Sequence, residues 1–156
     1  KDLKYEYLGN FDEAMIKLVK DVKHFEQSPI IKLWDNGGDQ ILAFMRKDLL
    51  FIFNFHPFKS FNGYGILAPT GEYEHILSSD DPEFGGYGLI DMKVKHLTRH
   101  DPLFEKDNKE WLMLYLPART AQILKWKKPE PRETKNASKS KKSADSIKKE
   151  NKSKKK

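Results

Sequence analysis

Cysteine is absent from all 156 residues. A disulfide framework, a thiolate metal cluster and a cysteine nucleophile are therefore closed to this chain, and a reducing, cytoplasmic setting suits it. Long apolar runs are missing as well. The longest, Leu49 to Phe55, falls far short of the roughly 20 residues a membrane helix needs, and no charged-then-apolar signal segment opens the chain. A soluble protein with no membrane partner is expected. Basic excess is also missing from most of the chain, although Lys and Arg number 29 against 23 Asp and Glu. Eleven of the former and four of the latter lie from Pro129 onward, which leaves 18 basic against 19 acidic side chains in residues 1–128. The positive charge is a property of the tail, and only the tail argues for nucleic acid.

What is present suffices for one globular domain with a sizeable core, since 38% of the residues are hydrophobic. The segment "NFDEAMIKLVKDVKHF" from Asn10 places Phe11, Met15, Leu18, Val22 and Phe25 at helical spacing, which predicts an amphipathic helix to about His24. Asn10 is the expected N-cap, with Glu13 returning the bond of a capping box. After Pro29 the period changes. "IIKLW", "QILAFMR", "LLFIFNFH", "YGILA", "EYEHILS", "KVKHL", "WLMLYL" and "TAQILKW" read as strands between turn signals such as Asn36-Gly37-Gly38 and Thr70-Gly71. Pro57, Pro69, Pro82 and Pro117 lack the amide that would continue a ladder. Many short strands with no helix between them predict a mainly β, antiparallel β-sandwich preceded by one helix. From Pro129 to Lys156 the text has one large apolar residue, Ile147, and disorder is expected because nothing buried offsets the entropy of ordering. No aromatic is interleaved there for base stacking, which favours a solubilising tail over a nucleic-acid tether.

The candidate sites each have a plain structural counterpart. His96 and His100 have the i, i+4 spacing of a helical metal site with Asp101 beside them, yet the text before them is strand-like and Pro102 follows. Glu72 and Glu74 would lie roughly 6–7 Å apart along one strand side, within the range of a glycosidase carboxylate pair, but alternation suits a solvated face. Asp80 and Asp81 fit calcium or a turn before Pro82 equally well. Asn54 and His56 interrupt the apolar run "LLFIFNFHPFKSF"; they fit a central strand ended by Pro57, with a polar pair in need of partners. Ser60, Ser78 and Ser79 lack a nucleophile-elbow context. The glycines of "FGGYG" match no phosphate-binding pattern, and no strand-to-helix switch follows. That loop does offer Phe84 and Tyr87, whose rings are candidate platforms for sugar faces or else anchors of the loop. The residues by themselves thus define no active site, metal or cofactor.

"YLGNFDEAMIKL", "LLFIFNFHPFKSF", "GEYEHILSSDDPEFGGYG" and "WLMLYLPARTAQIL" resemble, in this order and spacing, the C-terminal portion of 1,4-α-glucan (glycogen) branching enzymes of the α-amylase superfamily. The resemblance covers about Tyr5 to Leu124. It implies that residues 1–28 are the last helix of a (β/α)₈ catalytic barrel, 29–128 the C-terminal β-sandwich and 129–156 the tail, which departs from the family pattern. It also implies that the catalytic Asp, Glu and second Asp belong to a barrel upstream of Lys1. None of the family's catalytic motifs occurs here, so the chain alone is expected to be inactive. The parent would move an α-1,4-glucan segment through a covalent glycosyl-enzyme to a 6-hydroxyl, forming an α-1,6 branch. Its partners would be α-glucan and the rest of its own polypeptide. The alternative is a stand-alone carbohydrate-binding module. A severed barrel helix should leave Phe11, Met15, Leu18 and Val22 open, whereas a module should cover them.

Overall fold

The computed structural model describes residues 5–100 and 109–129. The expected disorder of the tail from residue 130, and Asp101 of the candidate metal site, lie outside the described residues. Helix α1 spans Glu6–Asp21, and strands follow as β1 (Ile30–Asn36), β2 (Ile41–Arg46), β3 (Leu49–Asn54), β4 (Phe61–Leu67), β5 (Glu72–Ser78), β6 (Lys95–Leu97), β7 (Arg99–His100), β8 (Glu110–Leu116) and β9 (Thr120–Lys127). The order is β1-β2-β3-β9-β5-β6 in a six-stranded sheet and β4-β8-β7 in a three-stranded one. All pairings are antiparallel. The mainly β sandwich with one leading helix is the architecture expected from the strand spacing.

Strand β3 explains how the layers hold together. It is hydrophobic on both sides because both sides are covered, with only Phe53 less than fully buried. Leu50 and Ile52 join Ile41, Ala43, Met45, Tyr73 and Leu124 against Ile66, Leu112, Leu114 and Leu116 of the second sheet. Leu49 and Phe51 look the other way, onto a second cluster with Leu77, Ile123 and Phe25, under Phe11, Ala14, Leu18, Val19 and Val22 of the helix segment. Each fully buried aliphatic side chain contributes about 1.5–3 kcal/mol relative to exposure. Arg46 ties the helix-to-strand link to the sheet: Nε donates to the Ser28 carbonyl at 3.1 Å, Nη2 to that of Glu26 at 2.8 Å, and the guanidinium lies 4.3 Å from the Phe25 ring centre.

Two sequence expectations about the helix change. It starts four residues before Asn10, with Tyr5 at the N-cap making no side-chain cap bond. Asn10 and Glu13 therefore sit inside the helix, because the first turn has tertiary support from the Gly-rich loop, whose Gly85 lies against the Tyr7 ring. The open face is also narrower than a severed barrel helix led one to expect. Phe11, Leu18 and Val22 pack on the sheet, and of that set only Met15 is exposed.

The polar pair in β3 and its sequel has its partners. Asn54 is 2% exposed, and its Nδ2 donates to the carbonyls of Lys59 (2.9 Å), Leu116 (3.0 Å) and Pro117 (2.9 Å), while Oδ1 accepts from the His56 amide at 3.0 Å. His56 Nδ1 in turn accepts from the amides of Phe58 (3.1 Å) and Lys59 (2.8 Å). These side chains organise the turn after β3 and bind it to the β8–β9 connection. An Asn54→Ala exchange removes the donor from three carbonyls, and urea unfolding should show a loss of about 1–3 kcal/mol, the cost of leaving buried polar groups unsatisfied; an unchanged midpoint would refute this role.

Candidate functional site: the loop after strand 5

Strand β5 carries the acidic pair and enters the Gly-rich loop. Glu72 and Glu74 do share one side, but lysines from both neighbouring strands close over them. Lys95 Nζ lies 2.9 Å from Glu72 Oε1 and 2.7 Å from Glu74 Oε1, and Lys127 Nζ lies 2.7 Å from Glu74 Oε2. The hydrogen bonds from Lys127 and then Lys95 hold the Glu74 carboxyl well below its ordinary range, at about 2. A group so firmly ionised has no proton to donate near neutrality, so Glu74 does not serve as the acid that glycoside cleavage needs. These residues staple β6, β5 and β9 side by side.

On the other side of β5, His75 is buried and its Nε2 lies 3.0 Å from Gln122 Oε1. Gln122 spends its amide nitrogen on the Tyr115 carbonyl of the second sheet at 3.0 Å, so its oxygen faces the imidazole and assigns the proton to Nε2. His96 of β6 sets its ring edge-on to His75, centroids 5.0 Å apart. His100 belongs to β7 in the three-stranded sheet, so the histidines spaced as for a helical metal site are divided between sheets. A bulge between His75 and Leu77 then shifts the register, and Leu77 turns to the helix side. Simple alternation from Glu72 could not show this.

Beyond β5 the Asp80-Asp81 pair builds the loop. Asp80 is 3% exposed, and its carboxylate accepts from the amides of Tyr87 (3.3 Å), Leu89 and Ile90 (3.0 Å). Asp81 Oδ1 caps the short 3-10 turn Pro82–Phe84 by accepting from the Glu83 amide at 2.9 Å. Of the two earlier readings, turn and calcium, these bonds perform the turn. Gly86 is obligatory for packing: a Cβ there would stand 2.1 Å from the Asp80 carbonyl. The loop so fixed separates the two candidate platforms. Phe84 packs edge-on against Phe11 of α1, centroids 5.3 Å apart, and is half-buried. Tyr87 is 88% exposed. Sequence reading placed them together; tertiary packing assigns one to the helix and leaves the other in solvent.

Tyr87 borders a groove of about 350 Å³ with Ser60, Asp80, Gly86, Arg119 and Thr120. A second depression, of about 340 Å³ and containing Phe53 and Phe55, shares Ser79, Arg119 and Thr120 with it. Phe58 is 83% exposed, with the Arg119 guanidinium 5.5 Å from its ring centre. Phe55, Phe58 and Arg119 thus extend the exposed aromatic surface around Tyr87, and sequence reading missed them. Their signal was the run of aromatics continuing past the strand end at Asn54, where alternation ceases to bury them.

Burial holds the pKa of His75 and of His96 below the ordinary histidine value, with the neighbouring imidazole adding to the effect on His96. Both are lowered in the fold, so stability is full above about pH 6.5 and falls as pH drops below it, where the unfolded chain takes up more protons. Glu74 is lowered too, and its contribution is present above its ordinary value near 4.5 and declines as pH falls towards 2. Thermal midpoints should decrease from pH 7 to 5.5, and a His96→Asn variant should show a smaller decrease; equal slopes would contradict this account.

Comparison with known proteins agrees with this architecture. Residues 34–127 match the family model "Alpha amylase, C-terminal all-beta domain". The chain is 37% identical over 124 residues to a 1,4-alpha-glucan-branching enzyme of Dictyostelium discoideum, covering 79% of the chain and 18% of that protein. It is 38% identical over 125 residues to the enzyme of the same name from Emericella nidulans, covering 78% and 18%, and 34% identical over 123 residues to that of Saccharomyces cerevisiae, covering 78% and 17%. The chain therefore spans less than a fifth of the length of these relatives. It belongs to the alpha-amylase C-terminal all-beta domain family, and its similarity within that family is to the domain found in 1,4-alpha-glucan-branching enzymes.

Proposed function

We propose that this chain is the C-terminal part of a 1,4-α-glucan branching enzyme, in which it supports the catalytic barrel and presents a glucan-contacting surface. The single observation that carries the supporting role is the second apolar flank of α1. One side of the helix packs on the sandwich, whereas Tyr5 at the N-cap and Leu8 and Ile16 within the helix are 67%, 57% and 52% exposed, with Met15 also exposed and Asp12 standing between Leu8 and Ile16 on their row. An apolar flank of this kind, next to a face already buried, is suited to a further layer of protein. In this reading α1 is the last barrel helix, residues 29–128 form the sandwich and the tail from 129 is an appendage. The activity of the whole would be transfer of α-1,4-glucan segments to 6-hydroxyls by a retaining route, with the reacting carboxylates in the barrel. The covered positions Phe11, Leu18 and Val22 favour the rival, a stand-alone carbohydrate-binding module, and the open flank opposes it.

Glucan contact is assigned to Tyr87, with Phe84 as the anchor that fixes its loop against α1. An exposed phenol ring beside a groove lined by Ser60 and Arg119 combines an apolar face with groups that bond hydroxyls.

Two measurements test these readings. The reading frame upstream of Lys1 should encode a barrel with its carboxylates, and the whole polypeptide should convert amylose to a branched product with a weaker iodine stain. A start codon immediately before Lys1 would sink the fragment reading. In affinity gels containing glycogen, Tyr87→Ala should weaken retention severalfold, while Phe84→Ala should also lower thermal stability by removing its contact with Phe11; unchanged retention of Tyr87→Ala would remove Tyr87 from the glucan surface.

A further inference from the structure

Outside the Gly-rich loop, the sandwich edge between β1 and β4 holds a pocket of about 310 Å³ lined by Trp34, Asn36, Asp39, Tyr64, Trp111 and Met113. The volume is at the lower end of small-ligand sites and ample for one pyranose unit. Its walls are aromatic: Trp34 meets Trp111 edge-on at 5.8 Å and Tyr64 edge-on at 6.4 Å between ring centres. Trp111 and Met113 close tightly over Gly65, where a Cβ would stand 3.1 Å from the Trp111 ring and 3.3 Å from Met113 Sδ. A side chain at that position would intrude on the space between them.

A polar cluster sits at one end. Trp34 Nε1 donates to Tyr64 Oη at 3.1 Å, and Tyr64 Oη donates to Asp39 Oδ2 at 3.2 Å. Asn36 Nδ2 bonds the same carboxylate at 2.9 Å and the phenol oxygen at 3.2 Å, and Lys59 Nζ lies 3.0 Å from Asp39 Oδ1. The Lys59 hydrogen bond keeps the Asp39 carboxyl below its usual range against a smaller opposing push from desolvation. By donor and acceptor count, Tyr64 is saturated and Asn36 Oδ1 already accepts from the Asp39 amide at 3.0 Å, which leaves one acceptor position each on Asn36 Oδ1 and Asp39 Oδ1. A fixed acceptor pair beside a cation, next to aromatic walls, suits adjacent hydroxyls on a ring with apolar C–H faces.

We infer that the Trp34–Tyr64–Trp111 pocket is a second carbohydrate subsite, taking one glucose unit of an α-glucan chain with Asp39 and Asn36 on its hydroxyls. The choice of glucan rests on the functional reading above; the sugar class rests on the pocket. The subsite is separate from the proposed barrel contact. Helix α1 covers one face of the six-stranded sheet, and β4 and β8 of the pocket belong to the sheet on the other.

The chain contains three tryptophans, and the third, Trp126, donates its indole proton to the Thr70 carbonyl away from this pocket. In nitrogen–proton correlation spectra, maltoheptaose should shift the indole signals of Trp34 and Trp111 and leave that of Trp126 in place. Asp39→Asn, which keeps the shape, should weaken this response five- to tenfold, and Trp34→Ala should abolish the Trp111 shift in a spectrum whose dispersion reports the fold. Tyr87→Ala should leave it intact. If maltoheptaose moved the Tyr87 amide and neither indole, the subsite would be refuted and the Tyr87 surface retained. If it moved none of them, both would fail. A response to a proline-rich peptide with none to maltoheptaose would refute the sugar assignment.

Discussion

The burial of strand β3 on both faces is the constraint on which the other features depend. Leu50 and Ile52 cannot be dry unless β4 and β8 cover them, and Leu49 and Phe51 cannot be dry unless α1 does. Because successive side chains alternate, one strand commits the chain to three layers: helix, six-stranded sheet and three-stranded sheet. β9 pairs alongside β3 from Leu49–Lys125 to Asn54–Thr120, and repeats the pattern with Ile123 towards the helix and Leu124 towards the second sheet.

Polar side chains act at the borders of this layered core and fix its loops. Asn54 bonds the carbonyls of two separate connections, Asp80 gathers amides from the Gly-rich loop, and Gln122 reaches from β9 to the backbone of β8. Each is buried and each has its partners, which is the condition under which a polar group stabilises a core instead of weakening it. Asn54 and Asp80, which looked like candidate chemistry in the text, therefore serve positioning. They leave Tyr87, Phe55 and Phe58 on the outside, where contact with a ligand is possible.

The fold was legible in the text to a large extent because it is written in local alternation. "LLFIFN" and "WLMLYL" identify strands through β-branched, aromatic and aliphatic residues at short spacing, and the prolines after them mark their ends. The start of α1 was not legible, since Asn10 is a good local cap and the earlier turn is held by a loop some 75 residues away, on the order of half the chain. Nor was the bulge after His75, which reverses the side on which Leu77 lies. For the candidate site, composition identified Phe84 and Tyr87 as aromatics in a glycine-rich loop, but their separate environments depend on Phe11, which belongs to a distant element.

The class of fold, the family resemblance and the strands other than β7 follow from the sequence alone, because periodicity and turn chemistry operate over a few residues, whereas the two-residue β7 exists only through its pairing with β8. Tertiary structure decided which aromatics are walls, anchors or open faces. Trp34, Tyr64 and Trp111 are far apart in the chain, and only the closure of β1 over β4 and β8 brings them around one pocket. It likewise decided that Glu72 and Glu74 are ion-paired by lysines of β6 and β9, since strand pairing sets a carboxylate's neighbours and those neighbours set its proton affinity.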